Sequence, residues 1–279
     1  MQKNRIFMTA DLHGDYRPIR DFAKLMEIRG TPLTESDTII ILGDAGFNFF
    51  LNHRDKKLKE KLSEYKTQFF VIRGNHEQRP SICAERKPND WTFELYYHNI
   101  ILTEKNFSYI KYALDVPALY QLPIGEKLIQ ILSLPGAYSV DKEFRLNNNL
   151  GWFPGEQCSE EERRHGTSLA KNKNWDMILS HTCPFSFQPT DLFLSVVDQS
   201  KVDNTTERWL EQIERKTPYK LWAFGHFHRP RIYSDQKDKN MLMLFNNCFF
   251  DVTKYFTEKT FIKNCLIPLS DKVIIDDFS

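Results

Sequence analysis

Five times in this chain a short, uninterrupted apolar run breaks directly into polar sequence containing glycine or proline. Ile6-Phe7-Met8-Thr9-Ala10 ends in Asp11-Leu12-His13-Gly14-Asp15, Thr38–Leu42 in Gly43-Asp44, and Phe69–Ile72 in Arg73-Gly74-Asn75-His76-Glu77. Further on, Met177–Leu179 runs into Ser180-His181-Thr182-Cys183-Pro184, and Leu221–Phe224 into Gly225-His226-Phe227-His228. Runs of this length, rich in β-branched and aromatic residues, read as strands buried on both faces. Helical spacing separates the first three: Ile19, Phe22, Ala23 and Met26 share a face within residues 17–29, as do Leu58, Leu62 and Tyr65 within 52–65. Strands alternating with helices predict βαβ units, with chemistry at the carboxyl ends of the strands. Lys56, Lys57, Lys59 and Lys61, alternating with Asp55, Glu60 and Glu64, read as a solvated helix face.

The stretch 80–175 is less regular. It carries Trp91, Phe93, Tyr96 and Tyr97, one clear strand from Lys127 to Leu134, and a helix from Ser159 with Glu160 to Glu162 at its positive end. Met241 to Phe245 and Phe249-Phe250 read as closing strands, and the tail from Ser270 as peripheral. Without repeats, linkers or low-complexity tracts, residues 1–279 are expected to form a single domain. Residues 80–175 are expected to be an irregular insertion that shapes the substrate site.

Composition narrows the function classes. Lys plus Arg (38) nearly cancels Asp plus Glu (37), which argues against a nucleic-acid binder with a generally basic surface, although a local basic groove survives that arithmetic. No apolar run reaches membrane-spanning length, so no membrane association is expected. The amino terminus lacks the apolar stretch of a secretory signal. Cys83, Cys158, Cys183, Cys248 and Cys265 form no Cys-x-x-Cys pair, which fits reduced thiols in a cytoplasm, and Cys183 reads as a small buried residue.

Of eight histidines, His13, His76, His181, His226 and His228 sit at or just after the end of an apolar run. The spacing of two in Asp11-x-His13, and in His226-x-His228, puts both side chains on one side of an extended chain. Asp44 and Asn75 follow the second and third strands, each step about one βα unit long, so three strand ends can lie side by side. Imidazole and carboxylate together suit Mn, Fe, Zn or Ni rather than calcium. Seven ligand-type residues are too many for one tetrahedral ion and suit two ions sharing a carboxylate, for which Asp44 is the natural bridge. Two such ions acidify a water between them and bind substrate oxygens, which is the equipment for hydrolysing a phosphate ester.

The set Asp11-x-His13, Gly43-Asp44, Gly74-Asn75-His76-Glu77, His181 and Gly225-His226-Phe227-His228 resembles the calcineurin-like metallophosphoesterases, in the same order and across residues 11–228. The resemblance implies an α/β sandwich of two mixed β-sheets packed face to face and flanked by helices, with a dinuclear metal site at the strand ends. It implies that Asp11, His13 and His228 hold one ion, that Asn75, His181 and His226 hold the other, and that Asp44 bridges them. It makes His76 the catalytic residue, approaching the leaving-group oxygen as a general acid or stabilising the transition state electrostatically. Pro135 to Arg145 is similar to a segment of a bacterial and phage branch of the family. Arg73 to Glu77 is similar to the Ser/Thr protein phosphatase branch, which carries Asp and Arg three and four positions after the bridging Asp; Phe47 and Asn48 stand there in this chain.

The expectation is a hydrolase using two divalent ions, Mn first with Fe, Zn or Ni as alternatives, on a nucleotide, nucleic-acid or small-molecule phosphate ester. Asn48, Arg79, Tyr138, Lys142 and Arg145 are the candidate substrate contacts. A phosphodiester is favoured because Asn48 offers hydrogen bonds without the charge that grips a dianionic monoester. The alternatives are a phosphomonoesterase, a Ser/Thr protein phosphatase and, outside enzymes, an inactive scaffold, which would be expected to lose ligands or His76. No obligate protein partner is evident.

Overall fold

Side-chain alternation along the central strands sets the layers. The computed structural model describes residues 4–171, 173–233 and 239–277; residues 1–3, 172, 234–238 and 278–279 of the expected domain lie outside that description. In β1 (Ile6–Thr9), β2 (Thr38–Leu42) and β3 (Gln68–Ile72), the residues Ile6, Met8, Ile40, Leu42, Phe70 and Ile72 face one apolar cluster. Their neighbours Phe7, Ile39, Ile41, Phe69 and Val71 face another. A strand with both faces apolar must be covered on both sides. Outside, α1 (Arg17–Ile28) supplies Ile19, Phe22 and Met26 from one stripe, and α2 (His53–Leu62) supplies Leu58 and Leu62. On the inner side lies a second sheet.

The first sheet also takes α3 (Pro80–Arg86) against it and pairs β4 (Trp91–Tyr96), β5 (Asn99–Glu104) and β6 (Ile110–Tyr112). The second begins with the hairpin β7 (Ala118–Ile124) and β8 (Lys127–Leu134). Then come α4 (Lys142–Asn147), α5 (Glu160–Ala170), β9 (Trp175–Ser180), α6 (Thr205–Glu214) and β10 (Tyr219–Phe224). The chain closes with β11 (Arg231–Ile232), β12 (Asn240–Met243), β13 (Cys248–Asp251), α7 (Val252–Glu258), β14 (Leu266–Pro268) and β15 (Asp276–Asp277).

Among the described residues the strand orders are β14-β13-β1-β2-β3-β6-β5-β4 and β15-β11-β12-β10-β9-β8-β7. Both sheets are mixed: β1, β2, β3 and β6 run parallel, as do β8, β9, β10 and β12, while the hairpins at the edges are antiparallel. Met177, Leu179, Leu221 and Ala223 meet the first sheet across the shared core; Ile178, Trp222 and Phe224 point outward to Trp209, Leu210 and Ile213 of α6. The result is helices, sheet, sheet, helices. The parallel centres bring the carboxyl ends of β1, β2, β3, β9 and β10 to one end of the sandwich.

Three expectations change here. The stretch 80–175 is mostly regular, forming the edge strands of both sheets together with α3, α4 and α5; α5 starts with a capping box between Ser159 and Glu162. The tail is also drawn in, β15 pairing with β11. On α2, Lys59 does not belong to a solvated face. It is only 4% exposed, donating to Asn48 Oδ1 at 3.1 Å and pairing with Glu104 of β5. Removing Lys59 would leave the Glu104 carboxylate without its cation, held only by Tyr112 Oη, and the Asn48 oxygen without its donor, so Lys59→Ala is expected to lower stability by about 3 kcal/mol. The exposed Lys57→Ala should change it by less than about 0.5 kcal/mol. Urea denaturation of the two variants checks this; equal, small losses would return Lys59 to the solvated face.

Candidate metal centre

Asp11 and Asp44 follow β1 and β2 and are 0% and 1% exposed. Asn75 follows β3 and His181 follows β9, both equally buried, while His226 follows β10 at intermediate depth and His13 and His228 are exposed. The backbone turns sharply at these positions. Asp11, His13, Asp44, His226 and His228 all adopt positive φ, between 47° and 74°. L-residues avoid that region at a cost of about 1–2 kcal/mol each, and such strain collects at functional sites.

The turns bring every predicted ligand into one cluster. His13 Nε2 lies 2.9 Å from His228 Nε2, and these two atoms lie 4.0 and 3.8 Å from Asp11 Oδ1. Asp44 Oδ2 lies 4.0 Å from His13 Nε2 and 3.4 Å from His181 Nε2, so it reaches one imidazole from each sheet. Asn75 Oδ1 is 2.8 Å from His181 Nε2, and the His226 ring packs edge-on against His181 with centroids 5.0 Å apart. The ligand atoms include two groups narrow enough for an ion, Asp11/His13/His228 and Asp11/Asp44/His181.

The groups behind these donors fix their orientation. His181 Nδ1 donates to the Leu42 carbonyl at 2.7 Å, which turns Nε2 toward the cluster. The His226 backbone N–H donates to Asp11 Oδ2 at 2.9 Å, and the His76 backbone N–H to Asp44 Oδ1 at 2.8 Å. Asn75 Nδ2 donates to Ser139 Oγ at 2.8 Å, and Ser139 Oγ donates to Glu156, whose carboxylate also takes Trp152 Nε1. This chain of bonds holds the Asn75 amide with its oxygen facing the cluster. Sequence reading missed Ser139 and Glu156; the signal was the segment after β8, where Ser139 stands next to Tyr138.

Electrostatics make the cluster a seat for cations. Burial pushes the Asp11 carboxyl well above the usual carboxylate range, with Asp44 adding to the rise and His181 opposing it. Burial also works against the Asp44 charge, but His181, His76 and His13 outweigh it and hold that carboxyl well below its ordinary value. Burial opposes a proton on His181, yet Asp44 and Asp11 raise its pKa. The His13 imidazole falls to about 4, chiefly through burial. Two buried carboxylates bonded only to imidazoles and backbone amides, beside an amide oxygen aimed the same way, are the donor set that two borderline divalent ions take. The residues fit the ions.

His76 lines a cavity of about 380 Å³ beside the cluster, together with Asp44, Asn75, His226 and His228. Burial lowers its pKa, Arg145 lowers it further, and Asp44 and Asp141 oppose both. Of the candidate substrate contacts, Tyr138 alone lines the cavity. Asn48 is buried and accepts from Lys59. Arg79 forms a two-point pair with Glu162 and also donates to the Gly155 and Gln157 carbonyls. Lys142 lies 4.5 Å over the Trp152 ring, and Arg145 is paired with Asp141 at 2.7 Å. None of these four lines the cavity, and each makes a contact within the chain. The cavity wall comes chiefly from residues 188–204, with Tyr138, Val140 and Asp141 as the contribution of 80–175.

Gly43 shows how tightly the sheets close on the site. Its φ is +88°, and a Cβ there would stand 2.1 Å from His181 Nδ1. Gly30, with φ +72°, has nothing within 4 Å of such a Cβ. Gly30→Ala should therefore cost backbone strain alone, about 1 kcal/mol, and Gly43→Ala a further 1–3 kcal/mol or so for the overlap. Equal losses on denaturation would show that the close approach has no energetic weight.

No curated protein matches the chain. Among solved structures, the protein TT1561 of Thermus thermophilus aligns at a TM-score of 0.50 and 12% identity, covering 96% of this chain and 100% of that one. A dimetal phosphatase from Danio rerio aligns at 0.48 and 10% (90% and 96% covered), and the phosphopantetheinyl hydrolase of Mycobacterium tuberculosis at 0.47 and 12% (95% of both). The family profile described as calcineurin-like phosphoesterase matches residues 4–230. This chain belongs to the calcineurin-like phosphoesterases and is a metal-dependent hydrolase of phosphoric esters.

Proposed function

We propose that this enzyme hydrolyses a phosphodiester, with Asp11, His13 and His228 holding one divalent ion, Asn75, His181 and His226 the other, and Asp44 between them. Mn is the ion we favour. When bound, the ions polarise the phosphate oxygens and acidify a water. The chain's own part is to hold the ligands rigid through Ser139, Glu156 and Leu42, to exclude bulk water at the buried carboxylates, and to offer an N–H at His76. The lowered pKa of His76 leaves a neutral imidazole, which can donate one hydrogen bond to the leaving oxygen.

One observation carries the diester reading. Among the described residues no Lys or Arg lines the cavity, while Asp141, Asp203 and Glu207 do. A monoester near neutral pH carries close to two negative charges and gains from an added cation; a diester carries one. The test is kcat/KM for bis(p-nitrophenyl) phosphate beside p-nitrophenyl phosphate, with Mn and after chelation. The diester should equal or exceed the monoester, and chelation should stop both. A tenfold monoester preference, about 1.4 kcal/mol, would overturn the diester reading, and activity surviving exhaustive chelation would overturn the metal assignment.

His76→Ala should keep its metal and lose roughly 10²–10⁴-fold in kcat. If His76 gives a proton or hydrogen bond to the leaving oxygen, the loss should be large for an alkyl leaving group and small for nitrophenolate. Equal losses on both would assign it to positioning or to transition-state charge.

A further inference from the structure

The wall over the candidate metal centre has a chemistry of its own. Leu192, Phe193, Leu194, Val197, Val202 and Phe227 form its apolar part, with the Phe193 and Phe227 rings near parallel at 6.3 Å. The segment carrying most of it has no long helix or strand. Ion pairs and amide contacts hold it instead: Arg231 grips Asp191 at 2.8 and 2.6 Å, and Gln188 Nε2 donates to Asn204 Oδ1 at 2.8 Å. Glu207 also lines the cavity, buried, with Oε1 accepting from Thr182 Oγ1 at 2.8 Å and Oε2 without a hydrogen-bond partner. Asp203 adds a second carboxylate to the lining.

Resting on the phosphodiesterase reading, we propose that this cavity selects esters whose organic group is apolar and carries no further negative charge. Three features point the same way. The apolar wall opens directly onto His76 and the ligand residues, so a group attached to a bound phosphate must lie against it. Asp203 places a carboxylate in the lining that disfavours a second anion on the substrate, no Lys or Arg lines the cavity to attract one, and the Asp141 charge is already taken by Arg145. A volume of about 380 Å³ lies within the range of small-molecule sites, about 300–1,000 Å³. A nucleic-acid strand would instead need a basic track for its successive phosphates.

The experiment uses full-length, Mn-loaded protein and p-nitrophenyl phosphodiesters whose second group is methyl, n-hexyl or 5-carboxypentyl. It is paired with calorimetric Kd values for the matching monoesters of methylphosphonate, which need no turnover. The hexyl compound should exceed the methyl one at least tenfold in kcat/KM and in affinity, and exceed the carboxypentyl compound at least tenfold. In Leu194→Ser, which alters an exposed side chain, the hexyl-to-methyl ratio should fall at least fivefold; a ratio cancels any general loss of activity. Equal binding of the three phosphonates, or preference for the carboxylate, overturns the proposal. If none of the diesters is hydrolysed but the affinity order holds, the phosphodiesterase reading fails while the selection for apolar groups stands.

Discussion

Asp11 and Asp44, two carboxylates removed from water where the ends of two sheets meet, set the terms for everything around them. A buried charge is tolerated only when paired or hydrogen-bonded, and here the partners come from both sheets: His181 after β9, the His226 amide after β10 and the His76 amide after β3. The two carboxyls respond in opposite directions, Asp11 pushed up and Asp44 held down. Without cations the cluster cannot ionise fully. Metal binding therefore completes an electrostatic arrangement that the polypeptide leaves unbalanced, and its free energy contributes to folding as well as to catalysis.

The same closeness accounts for the residues next to the ligands. Five of the candidate ligand positions lie in the left-handed backbone region, which lets a strand stop abruptly and aim its last side chain at one point. A Cβ on Gly74 would stand 2.1 Å from Asp44 Oδ1, and one on Gly225 would stand 2.6 Å from Asp11 Oδ2. The Gly-Asp, Gly-Asn and Gly-His pairs are thus a packing requirement of two sheets closing on one cluster. The core between the sheets is continuous and almost fully buried, from Met8 and Ile40 across to Met177 and Leu221. That burial compensates the strain at the strand ends.

This explains which parts could be read from sequence. Continuous apolar runs mark strands covered on both faces, so β1, β2, β3, β9 and β10 were legible, and with them the candidate ligands at their ends. Lys59 was not, because its charge is balanced by Glu104 from a strand 45 positions away. The edge hairpins were obscured by local chemistry: β7 carries Pro123, and β4 exposes Phe93 and Leu95 to solvent. Ser139 and Glu156 act on Asn75 through space and carry no periodic signal. Residues 188–204 were hidden for a similar reason, since Arg231 and Asn204 hold them in place of regular structure.

The arrangement of cations has a consequence for turnover. Arg79 is committed to Glu162, Arg145 to Asp141, and the buried Arg73 to the Gly155 and Glu156 carbonyls. Among the described residues, no Lys or Arg lines the cavity itself. If the substrate is a diester, as proposed, hydrolysis converts a singly charged phosphate into a monoester that tends toward two charges near neutral pH, and releases an alcohol. In the cavity that added charge meets the Asp203 carboxylate and no Lys or Arg of the lining. On the proposed reading, the wall would hold the substrate's apolar group while the lining offers the product's extra charge no Lys or Arg, an arrangement that opposes product retention without any moving part.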